Sequence, residues 1–196
     1  MSEFFLELFT EEIPAALQKD SRNFFLSSFN KFFTENKINF KKSSAFSTPN
    51  RLVILFEGLE KELLKTAEEI KGPNTNAPEQ ALNGFLKSNE ISIDKVFKKK
   101  TEKGEFYFYK TSEKKIKTLD LIEKITPKLL DQIHWKKSMR WGKFDLKWAR
   151  PLKSILAVFD KKTLKFEYHH LISSNKTFVD KEFEDKRKMF NNFRTY

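Results

Sequence analysis

The residues between Lys136 and Pro151 have the chemistry of a phosphate-binding surface. Five cationic side chains and two indole rings precede Arg150 in this segment: Lys136, Lys137, Arg140, Lys143 and Lys147, with Trp141 and Trp148. Lysine and arginine can neutralise backbone phosphates, and tryptophan rings can stack on nucleic-acid bases or on an arginine plane. The same composition fits tryptophans that anchor a corner of the core and lysines on a solvated loop. Both interpretations stay open at the level of the sequence.

The net charge of the chain is +11, and nearly all of the excess lies in its second half. Residues 1–100 carry 15 Lys and Arg against 14 Asp and Glu, whereas residues 101–196 carry 23 against 13. This asymmetry favours a polyanionic partner such as tRNA, another RNA or DNA over a membrane surface, because no basic amphipathic helix stands out. An AT-rich coding sequence also enriches Lys, so charge alone does not establish the partner.

An acid/base pair at Glu11 and Glu12 is the enzymatic alternative. Adjacent residues on a helix point about 100° apart, so the two carboxylates would not converge on one substrate atom. Negative charge in the first turn of a helix instead complements the helix dipole. No His pair has the spacing of a helical metal site, and the absence of Cys excludes disulfides and thiolate ligands. We therefore expect no catalytic residue and no metal site.

Predicted strands and helices occur along the whole chain, and these elements must position the residues above. Glu3–Thr10 is apolar and rich in rings, which predicts a buried strand, and Ala15–Asn36 has apolar residues near helical spacing. Residues 40–47 and 51–58 predict a hairpin around a Pro-Asn turn. The later predictions are helices over 78–88, 119–135 and 181–194, and strands over 105–110, 154–159 and 164–171. Pro127 should interrupt the second of these helices, either by a kink or by the start of a new helix.

This order of elements predicts an α+β fold, with mixed or antiparallel sheets packed against amphipathic helices. We expect a strand–helix–hairpin unit over 1–66, a basic, aromatic-rich region over 67–172, and a charged, loosely attached tail over 173–196. The tail shows no obvious domain end, so we expect that the sequence is truncated. No signal peptide or membrane span of about 18 apolar residues appears, and a cytoplasmic location is expected.

Six short motifs occur along residues 1–172. They are Thr10-Glu11-Glu12-Ile13-Pro14, Thr48-Pro49-Asn50-Arg51-Leu52, Lys71-Gly72-Pro73, Lys103-Gly104-Glu105, Ser138-Met139-Arg140-Trp141-Gly142 and Arg150-Pro151-Leu152. In this order they resemble the N-terminal region of the β subunit of bacterial glycyl-tRNA synthetase. That subunit is several times longer than this chain.

The resemblance implies a non-catalytic role in tRNA aminoacylation. It implies that a separate α subunit activates glycine with ATP and Mg²⁺, while the β subunit binds and positions tRNA in an α2β2 assembly. The chain itself would hold no cofactor. The motifs and the cationic segment together give the candidate positions for tRNA binding or for a structural role: Arg51, Lys71, Lys136, Lys137, Arg140, Trp141, Lys143 and Arg150, with Glu11 and Glu12 as an acidic pair.

Two alternatives remain. A stand-alone basic RNA-binding module without catalytic activity fits the composition, although no RNP motif, Gly-X-X-Gly loop or zinc knuckle is present. Independently, Arg140 and Arg150 could pair with carboxylates such as Glu11 and Glu12 and hold the chain together instead of contacting tRNA.

Overall fold

The computed structural model describes residues 2–65, 67, 69–102, 104–179 and 186–196. Its helices are α1 (Ala15–Glu35), α2 (Glu79–Ser88) and α3 (Thr118–Asp131), with 3₁₀ turns at Ile93–Lys95 and Phe193–Thr195. Its strands are β1 (Glu3–Thr10), β2 (Lys42–Thr48), β3 (Arg51–Glu57), β4 (Glu62–Lys65), β5 (Glu69–Asn74), β6 (Val96–Thr101), β7 (Gly104–Lys110), β8 (Lys114–Lys117), β9 (Met139–Arg140), β10 (Lys147–Trp148), β11 (Leu152–Phe159), β12 (Lys162–Thr163), β13 (Glu167–Tyr168), β14 (Leu171–Ile172), β15 (Lys176–Phe178) and β16 (Arg187–Met189). The predicted α+β class is confirmed.

The chain divides into two compact units. Unit 1 contains residues up to Leu63 and from Lys117 onward, and unit 2 contains Leu64–Ile116. This division differs from the three consecutive parts predicted over 1–66, 67–172 and 173–196. The physical reason is that β11 pairs with β1 along most of its length, so distant parts of the chain build one sheet.

Unit 1 is built on a five-stranded sheet in the order β12-β11-β1-β3-β2, with antiparallel pairing. The first face of the sheet packs against α1. Phe25, Phe29 and Phe33 recur every fourth residue, which brings them to one side of the helix, and all three are fully buried. The ring of Phe33 meets that of Phe56 from β3 at 4.8 Å between centroids. Aromatic packing therefore fixes α1 on the sheet.

The second face of the same sheet is covered by the end of the chain. Phe190 is buried against this face, together with Phe5 of β1, and Phe193 and Tyr196 pack beside it. The backbone N–H of Phe193 donates to the Glu3 carboxylate at 2.6 Å. The prediction of a loosely attached tail is therefore wrong for the described residues 173–179 and 186–196.

Three predictions for the second half of the chain need correction. The helix predicted over 181–194 is replaced at 187–189 by β16, which pairs with β15, while 181–185 lie outside the described residues. Helix α3 contains Pro127 within one continuous element, so no new helix begins there. The single strand predicted over 164–171 is instead the two-residue strand Glu167–Tyr168, which pairs with β14 beginning at Leu171. Strands of two or three residues are too short to show a clear alternation of apolar and polar residues in the sequence.

Unit 2 contains a three-stranded antiparallel sheet, in the order β5-β7-β6, and helix α2. Gly72 lets the two approach each other, because a Cβ at this position would lie 2.9 Å from the ring of Phe85 on α2. Phe108 of the central strand is buried. Lys71 and the ring-rich strand predicted over 105–110 belong to this sheet.

Candidate nucleic-acid interface

The cationic segment of unit 1 forms a short β-hairpin. In it, β9 and β10 pair antiparallel, with Arg140 opposite Lys147 and Met139 opposite Trp148. Gly142 has a φ of +57°, a left-handed conformation that glycine adopts without steric cost, and it follows Trp141 at the start of the turn. We call residues 136–148 the basic hairpin segment.

The cationic groups of the basic hairpin segment face solvent. Lys136, Lys137, Arg140, Lys143 and Lys147 are all exposed. Two of these cations form long ion pairs, Arg140 with Asp145 and Lys136 with Asp20, each at 3.7 Å. Exposed pairs of this kind contribute little stability, so they hold the cations only weakly. A polyanion can therefore reach these groups.

The two tryptophans of the segment have different environments. Trp148 is 1% exposed, and its ring lies 5.0 Å from Trp135 and 6.2 Å from Tyr168 between centroids. The expectation that Trp148 offers a face to a base is therefore wrong, because the core-anchor interpretation holds for this residue. Trp141 is half-buried and lines an open cleft.

This cleft brings together residues that are distant in sequence. It measures about 690 Å³ and is lined by Glu11, Glu12, Ile13, Pro14, Ala15, Gln18, Pro49, Trp141, Arg150 and Pro151. Backbone hydrogen bonds join its walls, from the N–H of Ile13 to the carbonyl of Pro49 at 2.7 Å and from the N–H of Glu11 to the carbonyl of Pro151 at 3.0 Å. Four of the six motifs thus meet at one place.

Glu11, Glu12 and Arg150 form contacts that hold the cleft together. Glu11 forms an ion pair with Lys153 at 2.8 Å, and the Arg150 Nε–H donates to the backbone carbonyl of Glu12 at 3.1 Å. Both glutamates precede Pro14, the residue before α1, so their predicted position in the first helical turn is wrong. Arg150 thus contacts main chain, whereas Arg140 contacts the Asp145 carboxylate.

Arg51 lies on the second face of the sheet in unit 1, among groups that hold the fold together. Its side chain is 19% exposed and donates to the fully buried Glu7 carboxylate at 2.8 Å. It also donates to the carbonyl of Phe178 and lies 4.6 Å from the ring centroid of Phe9. These contacts support the structural alternative for Arg51. Glu7 was missed by sequence reasoning, and its only signal was an acidic residue within an apolar strand.

Lys71 belongs to unit 2, whereas the basic hairpin segment belongs to unit 1. Its ammonium group lies 3.5 Å from the ring centroid of Phe106, which is a close cation–π contact. The side chain remains exposed. This lysine is thus held over an aromatic ring by its own sheet.

Two further residues near the cleft escaped the sequence analysis. Gln18 lines it and donates to the carbonyl of Ile13 at 2.9 Å. Phe144, at the tip of the basic hairpin segment, stacks on His170 with centroids 3.8 Å apart and planes 12° apart. Gln18 lies four residues after Pro14, so helical spacing could have predicted that it faces the same cleft. Nothing in the sequence connects residues 144 and 170.

The phenols of the buried Tyr168 and the half-buried Tyr196 have perturbed acidity. Burial, and then the negative charge of Asp131, raises the pKa of Tyr168 well above its ordinary value. Burial, and then the charge of Glu7, which accepts the Tyr196 hydroxyl, raises the pKa of Tyr196 in the same direction. Both phenols are therefore held neutral.

No group of three or more His, Asp or Glu side chains within the described ranges is arranged to hold a metal ion. Among the helices described, none combines the length and the apolar character needed to cross a membrane.

Comparisons with known proteins match nearly the whole sequence. Residues 4–196 match the family model described as glycyl-tRNA synthetase beta subunit. Glycine–tRNA ligase beta subunits of Rickettsia bellii (strain OSU 85-389) and Rickettsia canadensis are 40% and 39% identical over 198 residues, which cover 100% of this chain and 30% and 29% of those proteins. That of Rickettsia felis is 41% identical over 177 residues, 89% of this chain and 26% of the relative.

The chain thus spans about 30% of the length of these relatives and matches their N-terminal region. Their name identifies them as subunits of an aminoacyl-tRNA synthetase. Because the family model matches nearly the whole sequence, the chain belongs to the glycyl-tRNA synthetase β-subunit family.

Proposed function

We propose that this chain is the N-terminal part of the β subunit of a heterotetrameric glycine–tRNA ligase and that it binds and positions tRNA. The observation that carries the proposal is the basic hairpin segment, in which Lys136, Lys137, Arg140, Lys143 and Lys147 are exposed together. Cationic groups at this density release counterions when they meet a phosphate backbone. The family membership supports tRNA as the source of those phosphates.

The cleft beside the basic hairpin segment supports a positioning role. Trp141 connects the two, because it belongs to the segment and lines the cleft with Arg150. Arg150 is tied to the carbonyl of Glu12, which fixes its guanidinium near the mouth of the cleft. Cations held by the protein can orient a phosphate strand, whereas freely rotating lysines supply mainly attraction.

The chemical step belongs, in this proposal, to a partner α subunit that uses ATP and Mg²⁺ in an α2β2 assembly located in the cytoplasm. This chain contributes tRNA binding and no cofactor of its own. We therefore expect no glycine-dependent exchange of pyrophosphate into ATP by the pure chain. Adding the chain to an α subunit and testing both co-purification and glycylation of tRNA measures the subunit role directly. A stand-alone RNA-binding module predicts tRNA binding without either result.

The tRNA contact is tested by charge removal at the basic hairpin segment. The variant Lys143→Gln/Lys147→Gln should bind tRNA about tenfold more weakly, and the magnitude of its salt slope should fall by about two phosphate contacts. The matched control is Lys42→Gln/Lys165→Gln, which removes the same charge from exposed positions elsewhere in unit 1. Fluorescence anisotropy with labelled tRNA over a salt series gives both quantities. Equal losses in the two double variants would contradict a localised site.

A further inference from the structure

On one face of the sheet of unit 2, lysines lie beside phenylalanine rings. Strand register places Phe97 of β6 and Lys71 of β5 on either side of Phe108, and it places Lys99 opposite Phe106. Directly opposed residues share a face. We call this set of five residues the aromatic sheet face. Lys98 and Lys100 alternate with these positions on β6 and therefore lie on the opposite face.

Side-chain contacts confirm this grouping. The rings of Phe97 and Phe108 are stacked with centroids 6.1 Å apart and planes 25° apart. The ammonium groups of Lys71 and Lys99 lie over Phe106 and Phe108, at 3.5 Å and 5.5 Å from the ring centroids. Rings and cations therefore form one continuous surface.

The aromatic sheet face is accessible at its outer side chains. Phe97 is 38% exposed, an unusual position for a phenylalanine on a strand, and Lys71 and Lys99 are exposed as well. Lys110 at the end of β7 shares the face, opposite Glu69, which pairs with Lys99 at 2.6 Å. Three lysines against one carboxylate give this face a positive charge.

We propose that the aromatic sheet face binds unpaired nucleotides of RNA. An exposed ring can stack on a base only if the base is outside a duplex, and neighbouring lysines can then meet the phosphates of the same strand. In a duplex the faces of the bases are stacked on one another, so a duplex could contact only the lysines of this surface. The proposal rests on the proposed role in tRNA binding and assigns unit 2 the single-stranded part of such a ligand.

The test uses the 196-residue chain with a fluorescein-labelled 12-nucleotide single-stranded RNA and with an RNA duplex of equal length. Phe97→Leu keeps an apolar side chain but removes the ring. It should weaken single-strand binding about tenfold, or ~1.4 kcal/mol, with an unchanged salt slope. Lys71→Gln/Lys99→Gln should lower the magnitude of that slope by about two contacts.

The matched control is Lys98→Gln/Lys100→Gln, which removes the same charge from the opposite face of the same sheet. This control should bind the single strand within about twofold of wild type, measured by anisotropy, with circular dichroism to verify the fold of each variant. Equal weakening in the control, or a Phe97→Leu variant that binds like wild type, would overturn the proposal.

The failures of the two proposals are distinguishable. Loss of tRNA binding in the variants of the basic hairpin segment, with single-strand binding retained, separates the two sites. A chain that binds tRNA but not the 12-nucleotide strand keeps the proposed function and refutes the aromatic sheet face as a site for unpaired nucleotides. A chain that binds the strand but not tRNA refutes the proposed function alone.

Discussion

Glu7 has the most demanding environment of any carboxylate described in unit 1. It is fully buried in the central strand β1, where an unpaired negative charge would cost several kcal/mol. Three donors compensate it: the Arg51 guanidinium at 2.8 Å and the hydroxyls of Thr177 and Tyr196. Two of these donors come from the end of the chain, so this one residue ties the last segment to the sheet.

Removing this charge should destabilise the fold. Glu7→Gln leaves the Arg51 guanidinium, which is only 19% exposed, without its anion, and we expect the free energy of unfolding to fall by about 3 kcal/mol. Urea denaturation measures the loss. The control Glu35→Gln breaks an exposed i,i+4 pair with Lys31 and should cost less than about 0.5 kcal/mol. Similar losses in both variants would contradict the role of the buried network.

The raised pKa values of Tyr168 and Tyr196 predict a loss of stability at alkaline pH. Tyr168 and Tyr196 have raised pKa values in the folded chain, whereas both ionise near pH 10 when unfolded. Their contribution is therefore fully present below pH 10 and is lost as the pH rises above it, by up to about 1.4 kcal/mol per pH unit for each phenol. Urea unfolding between pH 9 and 11 should show a shallower fall for Tyr168→Phe than for wild type. Parallel curves would refute this linkage.

At the scale of elements, the basic hairpin segment has a buried side and a solvent-exposed side that carries its cations. Trp148 on β10 anchors it in the core, while the turn that begins after Trp141 carries Lys143 and Phe144 into solvent. Gly142 favours this turn, because its φ of +57° is a left-handed conformation that glycine adopts without steric cost. An anchored base and an exposed tip give cations a defined position.

Substitution of the two tryptophans should separate stability from binding. Trp148→Ala should lower the free energy of unfolding by about 3–5 kcal/mol, because it leaves a cavity beside Trp135. Trp141→Ala removes a half-buried ring and should cost less than about 2 kcal/mol, while tRNA affinity falls several-fold. Urea denaturation and tRNA anisotropy on both variants decide this. If Trp141→Ala were the more destabilising change, the assignment of the two rings would be reversed.

The predictions from sequence succeeded where an element carries its own pattern. Strand Glu3–Thr10 and helix Ala15–Glu35 were found almost to the residue, because a dense apolar run and a four-residue Phe spacing are local signals. Pairs of two residues, such as β9 with β10, carry no such signal. Contacts between residues that are far apart in sequence also leave no local signal. In the sequence, Arg51 and Lys143 are both candidate cations for tRNA binding, and only the contacts of Arg51 with Glu7 and Phe178 show that its side chain is enclosed.

At the scale of the whole molecule, the five-stranded sheet of unit 1 is covered on both faces by parts of the chain from opposite ends. Helix α1 covers one face, and Phe190 with its neighbours covers the other. The candidate site depended on the same long-range assembly, since the motifs that line the cleft come from residues 11 to 151. Motif order predicted the family, whereas the sheet register placed the motifs together.

Deleting residues 186–196 should therefore expose the second face of this sheet. The rings of Phe193 and Tyr196 lie 5.8 Å and 5.3 Å from that of Phe5, and Phe190 is buried beside them. Loss of these contacts should reduce the free energy of unfolding by at least about 3 kcal/mol and increase binding of the dye ANS. The control Arg187→Ser/Lys188→Ser keeps all three rings and should melt within a few degrees of wild type. A deletion variant as stable as that control would show that the sheet does not depend on the end of the chain for its cover.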